Sequence, residues 1–152
     1  MTQLLRLLIE KLVRQSDLDS RQAQHLKIYI DDADNHPEFK GYDLVKGPER
    51  DSSRLAILDD LGNVVGFMTP RLDRGYWRTG AIYVDPGLRG KGFAKKAIIE
   101  FFSNPNHRPA KVWIAEQNKE SQRAFQGAGF VRGNRRDLSP APEDRGHDYF
   151  LE

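Results

Sequence analysis

The chain has 152 residues, 24 Lys and Arg against 22 Asp and Glu, a formal net charge of +2 and no cysteine. That length can bury a core unaided, and the missing thiols exclude a disulfide scaffold, a thiolate nucleophile and a Cys-based zinc site. The four histidines (His25, His36, His107, His147) show no metal-ligand spacing, so no metal is expected.

Residues 1–15 carry Leu4, Leu5, Leu8, Ile9, Leu12 and Val13 broken by Arg6, Glu10 and Lys11, which predicts an amphipathic helix on a core. The run is too charged for a secretory or spanning segment, so a cytoplasmic location is expected; membrane-surface binding is the weaker reading. Residues 20–31 read as a helix or, from the alternation of Leu26-Lys27-Ile28-Tyr29-Ile30, as a strand. His36-Pro37 and Gly47-Pro48 punctuate a loop-rich stretch. Residues 54–58 and 64–68 form a predicted hairpin around Asp59-Asp60-Leu61-Gly62-Asn63, and residues 77–84 the next strand. A helix then starts near Gly92, with Ala94, Ala97, Ile98 and Phe101 on one face and Ile99 and Phe102 broadening it, and stops near Asn104-Pro105. A strand (112–115), a helix (119–128), a strand (130–132), a two-proline loop expected to be mobile (137–146) and a last strand (147–151) complete a mixed α and β chain. There is no internal repeat.

The junction between the 77–84 strand and the Gly92 helix carries the most chemistry. Val84-Asp85-Pro86-Gly87-Leu88-Arg89-Gly90-Lys91-Gly92 places unpaired backbone N–H groups at the positive end of a helix dipole, a seat for a phosphate or pyrophosphate. Gly90 and Gly92, lacking Cβ, let the backbone approach an anion closely. The P-loop pattern fails because Phe93-Ala94 stand where Lys-Ser/Thr belong, and the dinucleotide fingerprint fails because Lys95 stands where its last Gly belongs. The positive excess also lies in this part of the chain: residues 51–131 hold 12 Lys and Arg against 8 Asp and Glu. That surplus suits a ligand with several phosphates and is too small to argue for nucleic acid.

Arg89-Gly90-Lys91-Gly92-Phe93-Ala94, preceded by the Val84-x-Pro86 turn, resembles the acyl-coenzyme A signature of the GNAT N-acetyltransferase superfamily. A second resemblance lies 29 residues on, where the family carries Asn and a helix patterned N-x-x-A/S-x-x-x-Y/F-x-x-x-G-F. This chain has Asn118, Ser121, Phe125, Gly129 and Phe130 at those offsets. Singly, these residues also serve structure: Asn118 as a helix N-cap and Gly129-Phe130 as a helix stop. The likeness covers residues 53–131. It implies a GNAT fold, an α+β domain over residues 1–152 with a central, mostly antiparallel, splayed sheet of about six or seven strands and about four helices. Residues 1–50 would be the divergent N-terminal part, opening with a helix where the family opens with a strand. Residues 51–131 would be the acyl-CoA-binding core and 132–152 a C-terminal loop and strand.

The resemblance further implies transfer of an acetyl group from acetyl-CoA to a primary amine by direct attack. The cofactor would be held by Ile82, Tyr83, Val84, Arg89, Gly90, Lys91, Gly92, Phe93, Ala94, Asn118, Ser121 and Phe125. Many family members carry a Tyr acid at the position of Phe125, which has no proton to give; Tyr83, Tyr149 and Ser121 are the remaining candidates. Some place a Glu base where this chain has Trp113. Glu116 and Tyr83 are accordingly the expected catalytic residues, while Asp85 reads as a cap before a catalyst. The acceptor is open among a small molecule, a protein amine and an amine of a modified nucleic-acid base. No membrane partner is expected, and a homodimer is compatible with the pattern. A non-catalytic acyl-CoA-binding module and a transferase of the same fold using another acyl donor are the alternatives.

Overall fold

Residues 12–36 and 45–152 are described by a computed structural model, in which two β-sheets share one stretch of chain. The described part opens with strand β1 (Leu12–Arg14) and helix α1 (Ser20–Asp34). A reciprocal cap starts α1: the Asp19 carboxylate accepts the Gln22 N–H at 2.8 Å, and the Gln22 side chain accepts the Asp19 N–H at 3.1 Å. Helix α2 (Pro48–Ser53) precedes the hairpin of β2 (Leu55–Leu58) and β3 (Val64–Met68), whose turn is closed by Asp59 accepting the Leu61 and Asn63 N–H groups. A second hairpin joins β4 (Arg71–Asp73) to β5 (Tyr76–Arg78) through Arg74 and Gly75, at φ 52° and 85°. Two consecutive positive φ values are what a two-residue hairpin turn requires. Strand β6 (Ile82–Val84), helix α3 (Phe93–Ser103), strand β7 (Ala110–Ala115), helix α4 (Lys119–Gly127), and strands β8 (Val131–Arg135) and β9 (Gly146–Leu151) follow.

The sheets run β1-β2-β3-β6 and β4-β5-β7-β9-β8. Every pairing is antiparallel except that of β5 with β7, which is parallel and holds a single registered pair, Trp77 with Ala110. Beyond that pair the chain leaves for the other sheet, where Phe67 faces Tyr83. β6 and β7 therefore diverge, and a gap opens between them. α1 buries Leu26, Tyr29 and Ala33 on one side of β3 and β6, against Phe67 and Tyr83. On the other side α3 and α4 bury Ala97, Ile98, Phe102 and Phe125 against Met68, Val84, Val112 and Ile114. Each of the Leu, Ile, Met, Val and Phe side chains among them contributes about 1.5–3 kcal/mol by leaving water, and each alanine methyl about 0.8 kcal/mol.

Several expectations change. Leu12 and Val13 do not continue a helix; they form a strand, Val13 opposite Ala56, because the free edge of β2 offers hydrogen bonds that three residues cannot find alone. The remainder of the expected N-terminal helix, residues 1–11, lies outside the described residues. The chain thus shows an early strand, as the family does. Residues 20–31 resolve as helix. The strand expected over 77–84 is two, broken at Thr79-Gly80: Gly80 has φ 62° and packs so closely on Thr69 that a Cβ would sit 2.0 Å from the Thr69 carbonyl oxygen. With β1 and β4 added, nine strands are described rather than six or seven. In α3, Phe102 joins the buried face and Ile99 stays 40% exposed. The 137–146 loop is held internally, with Ser139 Oγ 2.5 Å from Asp144 and the Gly146 N–H on Asp137 at 3.2 Å.

Candidate functional site

The gap between β6 and β7 fixes what the site can do. The Asp85 N–H donates to the Val65 carbonyl, and the Thr69 N–H to the Ala81 carbonyl, so odd-numbered residues of this segment pair with β3. Antiparallel alternation then turns the backbone groups of Ile82 and Val84 the other way, into the opening. The Val84 carbonyl is already met there by Arg89 Nε at 3.1 Å.

At the end of β6 the chain makes a 3-10 turn (Pro86–Leu88), capped by Asp85 Oδ1 accepting the Gly87 N–H at 2.7 Å. Asp85 is thus a cap, as its position suggested. Gly90 and Gly92 follow at φ 81° and 86°, and Gly92 is the left-handed N-cap of α3. A Cβ built on either meets nothing within 4 Å. The positive φ demands glycine, and the space beside both residues is open: a cradle of N–H groups with room for an anion.

A cavity of about 440 Å³ lies against this cradle, between α3 and α4. Ile82, Val84, Leu88, Ile98, Ala124 and Phe125 form its apolar part. Its polar rim brings together Arg89, Lys95 and Arg123 with one carboxylate, Glu120, and with Asn118 and Ser121. Asn118 Oδ1 accepts the Ser121 N–H at 3.1 Å, so Asn118 is the N-cap of α4 and a cavity wall at once.

Most of the expected cofactor residues converge on this cavity: Ile82, Val84, Arg89, Gly90, Gly92, Phe93, Ala94, Asn118, Ser121 and Phe125. Lys91 is exposed and does not line the cavity. Tyr83 is on the far side of β6, 3% exposed, its ring 5.8 Å from Phe67 and 6.0 Å from Tyr29. Burial, then the nearby Asp32 charge, raises its pKa, which keeps the phenol protonated but does not bring it to the cavity. Tyr149 is in the core at 2% exposure. Glu116 is half exposed, 3.9 Å from Arg135 Nη2, and is not a cavity residue. Neither expected catalytic residue is therefore brought to the cavity. Lys95, Glu120, Arg123 and Ala124 were not foreseen, although Glu120, Ser121, Ala124 and Phe125 share one helix face by their i, i+4 spacing. Among the described residues no cluster of three or more His, Asp or Glu could hold a metal ion, and no helix is long and apolar enough to cross a membrane.

Comparison with known proteins adds a family. The model of the GNAT acetyltransferase family matches residues 18–130. A GNAT-family acetyltransferase structure from Bacillus cereus is similar over 93% of this chain and 95% of its own, with TM-score 0.67 and 14% identity. One from Bacillus anthracis is similar over 93% and 92%, with TM-score 0.61 and 14% identity. A spermidine N-acetyltransferase chimera from Vibrio cholerae matches at 18% identity and TM-score 0.49 over 64% of each chain, a little under two thirds of its length. None of the curated proteins matches this chain.

Proposed function

The chain belongs to the GNAT family of acetyltransferases, and from that membership we propose that it transfers an acetyl group from acetyl-CoA to a primary amine. One observation supports this above the rest: the N–H cradle at Gly90 and Gly92, with open space where their Cβ atoms would be, faces the cavity beside the diverging β6 and β7. Those residues fit coenzyme A. The cradle suits a pyrophosphate, Lys95, Arg123 and Arg89 suit the remaining phosphate charge, and the apolar wall suits the pantetheine arm.

Acetyl-CoA would supply the acetyl group already activated as a thioester. This chain's residues bind and orient. The backbone groups of Ile82 and Val84 would hold the arm as a missing strand would, and the Val84 N–H would polarise the thioester carbonyl. The amine must lose a proton to attack, and with Glu116 and Tyr83 away from the cavity a water chain is the fitting base. The thiolate would leave without a phenol beside it, since Phe125 fills that place. Ser121 is the cavity hydroxyl nearest that role in sequence.

Phe125 also favours a second reading, a module that binds acyl-CoA without turnover. Isothermal titration with acetyl-CoA, beside desulfo-CoA and ATP, is the test. Selective binding of the coenzyme A compounds is expected, and their failure to bind the folded protein would overturn the proposal. Product from an amine panel separates the enzyme from the module.

A further inference from the structure

The five-stranded sheet has a second face, away from α3 and α4. Val112 and Ile114 are buried on the helix side, so strand alternation turns Trp113 to this second face. Beyond the pair of Trp77 with Ala110, no described strand joins the edge of β7 that faces β6, which makes β7 one wall of the gap. The cavity of about 440 Å³ lies on the helix side of that gap. An amine attacking a thioester held along Ile82 to Val84 therefore comes from the other side, the face that Trp113 occupies.

Trp113 is held there at two points. Its Nε1–H donates to the Arg136 carbonyl at 2.6 Å. One side of its ring rests on Gly146 of β9, where a Cβ would stand 2.7 Å from Cζ2 and 2.9 Å from Cε2. Covering a strand glycine with a ring is also a packing device, and Phe150 covers Gly133 in the same way, with a built Cβ 2.6 Å from its Cε2. The two rings differ in what is left over. Phe150 is engaged by the Tyr76 ring at 6.2 Å and by Lys111 Nζ at 5.6 Å. Among the described residues no ring and no cation stacks on Trp113, and it is only half-buried. Its one polar atom is spent on Arg136, so the indole offers an apolar π face in a fixed position.

The charges around the indole cancel. Arg136 grips both oxygens of Asp148 at 2.9–3.2 Å. Arg135 stands 3.3 Å from Asp137 and 3.9 Å from Glu116. Neither a polyanion nor a polycation gains by lying there, whereas a flat uncharged ring does.

We infer that the Trp113 indole is the stacking platform for the acceptor, which carries its primary amine on a short alkyl arm from a flat aromatic ring. The indole leans from β7 across β9, and neighbouring strands are about 4.8 Å apart, so the arm spans roughly one strand spacing to bring the nitrogen to the gap. Trp113 is thus a specificity residue and takes no part in proton transfer. This inference rests on the acetyltransferase reading.

The test compares 2-phenylethylamine with n-hexylamine, which carry the same charge and differ in the ring. The chain has two tryptophans, so two indole Nε1–H signals are read by 15N NMR, and Trp113→Phe assigns the one from Trp113. In the wild-type protein 2-phenylethylamine should shift that signal saturably, with about tenfold higher affinity than n-hexylamine. With acetyl-CoA the aromatic amine should be favoured by about tenfold in kcat/KM. Trp113→Leu should erase the preference through KM more than kcat, and Trp113→Phe should keep part of it. No saturable shift, or an equal one from n-hexylamine, would overturn the inference, and that comparison needs no variant to fold. Acetyl-CoA titrated into the same sample keeps the two readings apart. Binding of acetyl-CoA with no preference for the aromatic amine sinks this inference alone. A saturable aromatic response without acetyl-CoA binding upholds the platform and overturns the acetyltransferase reading.

Discussion

The Tyr29 hydroxyl donates to Asp85 Oδ2 at 2.8 Å, while Oδ1 of the same carboxylate accepts the Gly87 N–H. One side chain therefore ties α1 to the turn that enters the anion cradle. Tyr29→Phe should cost about 1 kcal/mol in urea unfolding and weaken acetyl-CoA binding by about threefold, through a looser turn and no lost ligand contact. An unchanged affinity would show that α1 does not support the cradle.

The same pair predicts a pH dependence. Burial, then the hydrogen bond to Asp85, raises the Tyr29 pKa above the ordinary 10.0. A phenol that keeps its proton more tightly when folded contributes stability below pH 10, and that contribution is lost as pH rises through and beyond 10. Urea midpoints taken from pH 8 to 11 should fall more steeply in the wild type than in Tyr29→Phe.

Gly92→Asp should abolish acetyl-CoA binding, because a carboxylate would then occupy the open space in the cradle. The folded protein should lose only about 1 kcal/mol, since Asp tolerates a left-handed φ better than most residues. Gly92→Asn is the neutral companion and should bind more tightly than Gly92→Asp by titration. Wild-type affinity in a folded Gly92→Asp protein would remove the cradle from the site.

Phe125→Tyr should leave the acetyl-CoA affinity within about twofold and hold or raise kcat, by placing a proton donor in the cavity wall. A large fall in kcat would mean that this ring does not border the reacting sulfur.

Gly80→Ala is expected to be costly far from any ligand. The new methyl meets the Thr69 carbonyl at 2.0 Å in a backbone of φ 62°, and a loss of about 2–4 kcal/mol is expected by urea unfolding. A neutral effect would argue against the close approach of β3 at the break between β5 and β6.

The cradle was legible because its causes are local: glycines where φ is positive, a helix start, and a strand before it. Asn118 to Phe130 was legible for the same reason, since cap, face and stop lie within one helix. Tyr83 shows where local reading ended. Its neighbours Ile82 and Val84 face the cavity, and alternation alone puts Tyr83 on the other side, yet only the packing of Phe67 and Tyr29 shows how fully it is enclosed. β1 was hidden because its pairing depends on the edge of β2 and not on its own three residues. The hairpin of β4 and β5 was hidden in a charged run with no apolar alternation, joined by an Arg74-Gly75 turn that does not match the common Asn-Gly signal. Glu116 was drawn from its distance to Asn118, but β7 ends at Ala115 and leaves it in solvent beside Arg135.

The single registered pair between β5 and β7 makes the molecule resemble an arch with its keystone left out. Trp77 and Ala110 hold the two ladders at one point, and beyond it β6 and β7 each present an edge that the fold leaves unpaired. Such an edge is tolerated only when something covers it. A ligand lying along Ile82 to Val84 would do so by taking the place of a strand. The backbone amides of Ile82 and Val84 should then exchange faster with solvent in the free protein than that of Tyr83, which pairs with β3, and should be the ones slowed on binding, and the same ligand would tighten both halves of the fold.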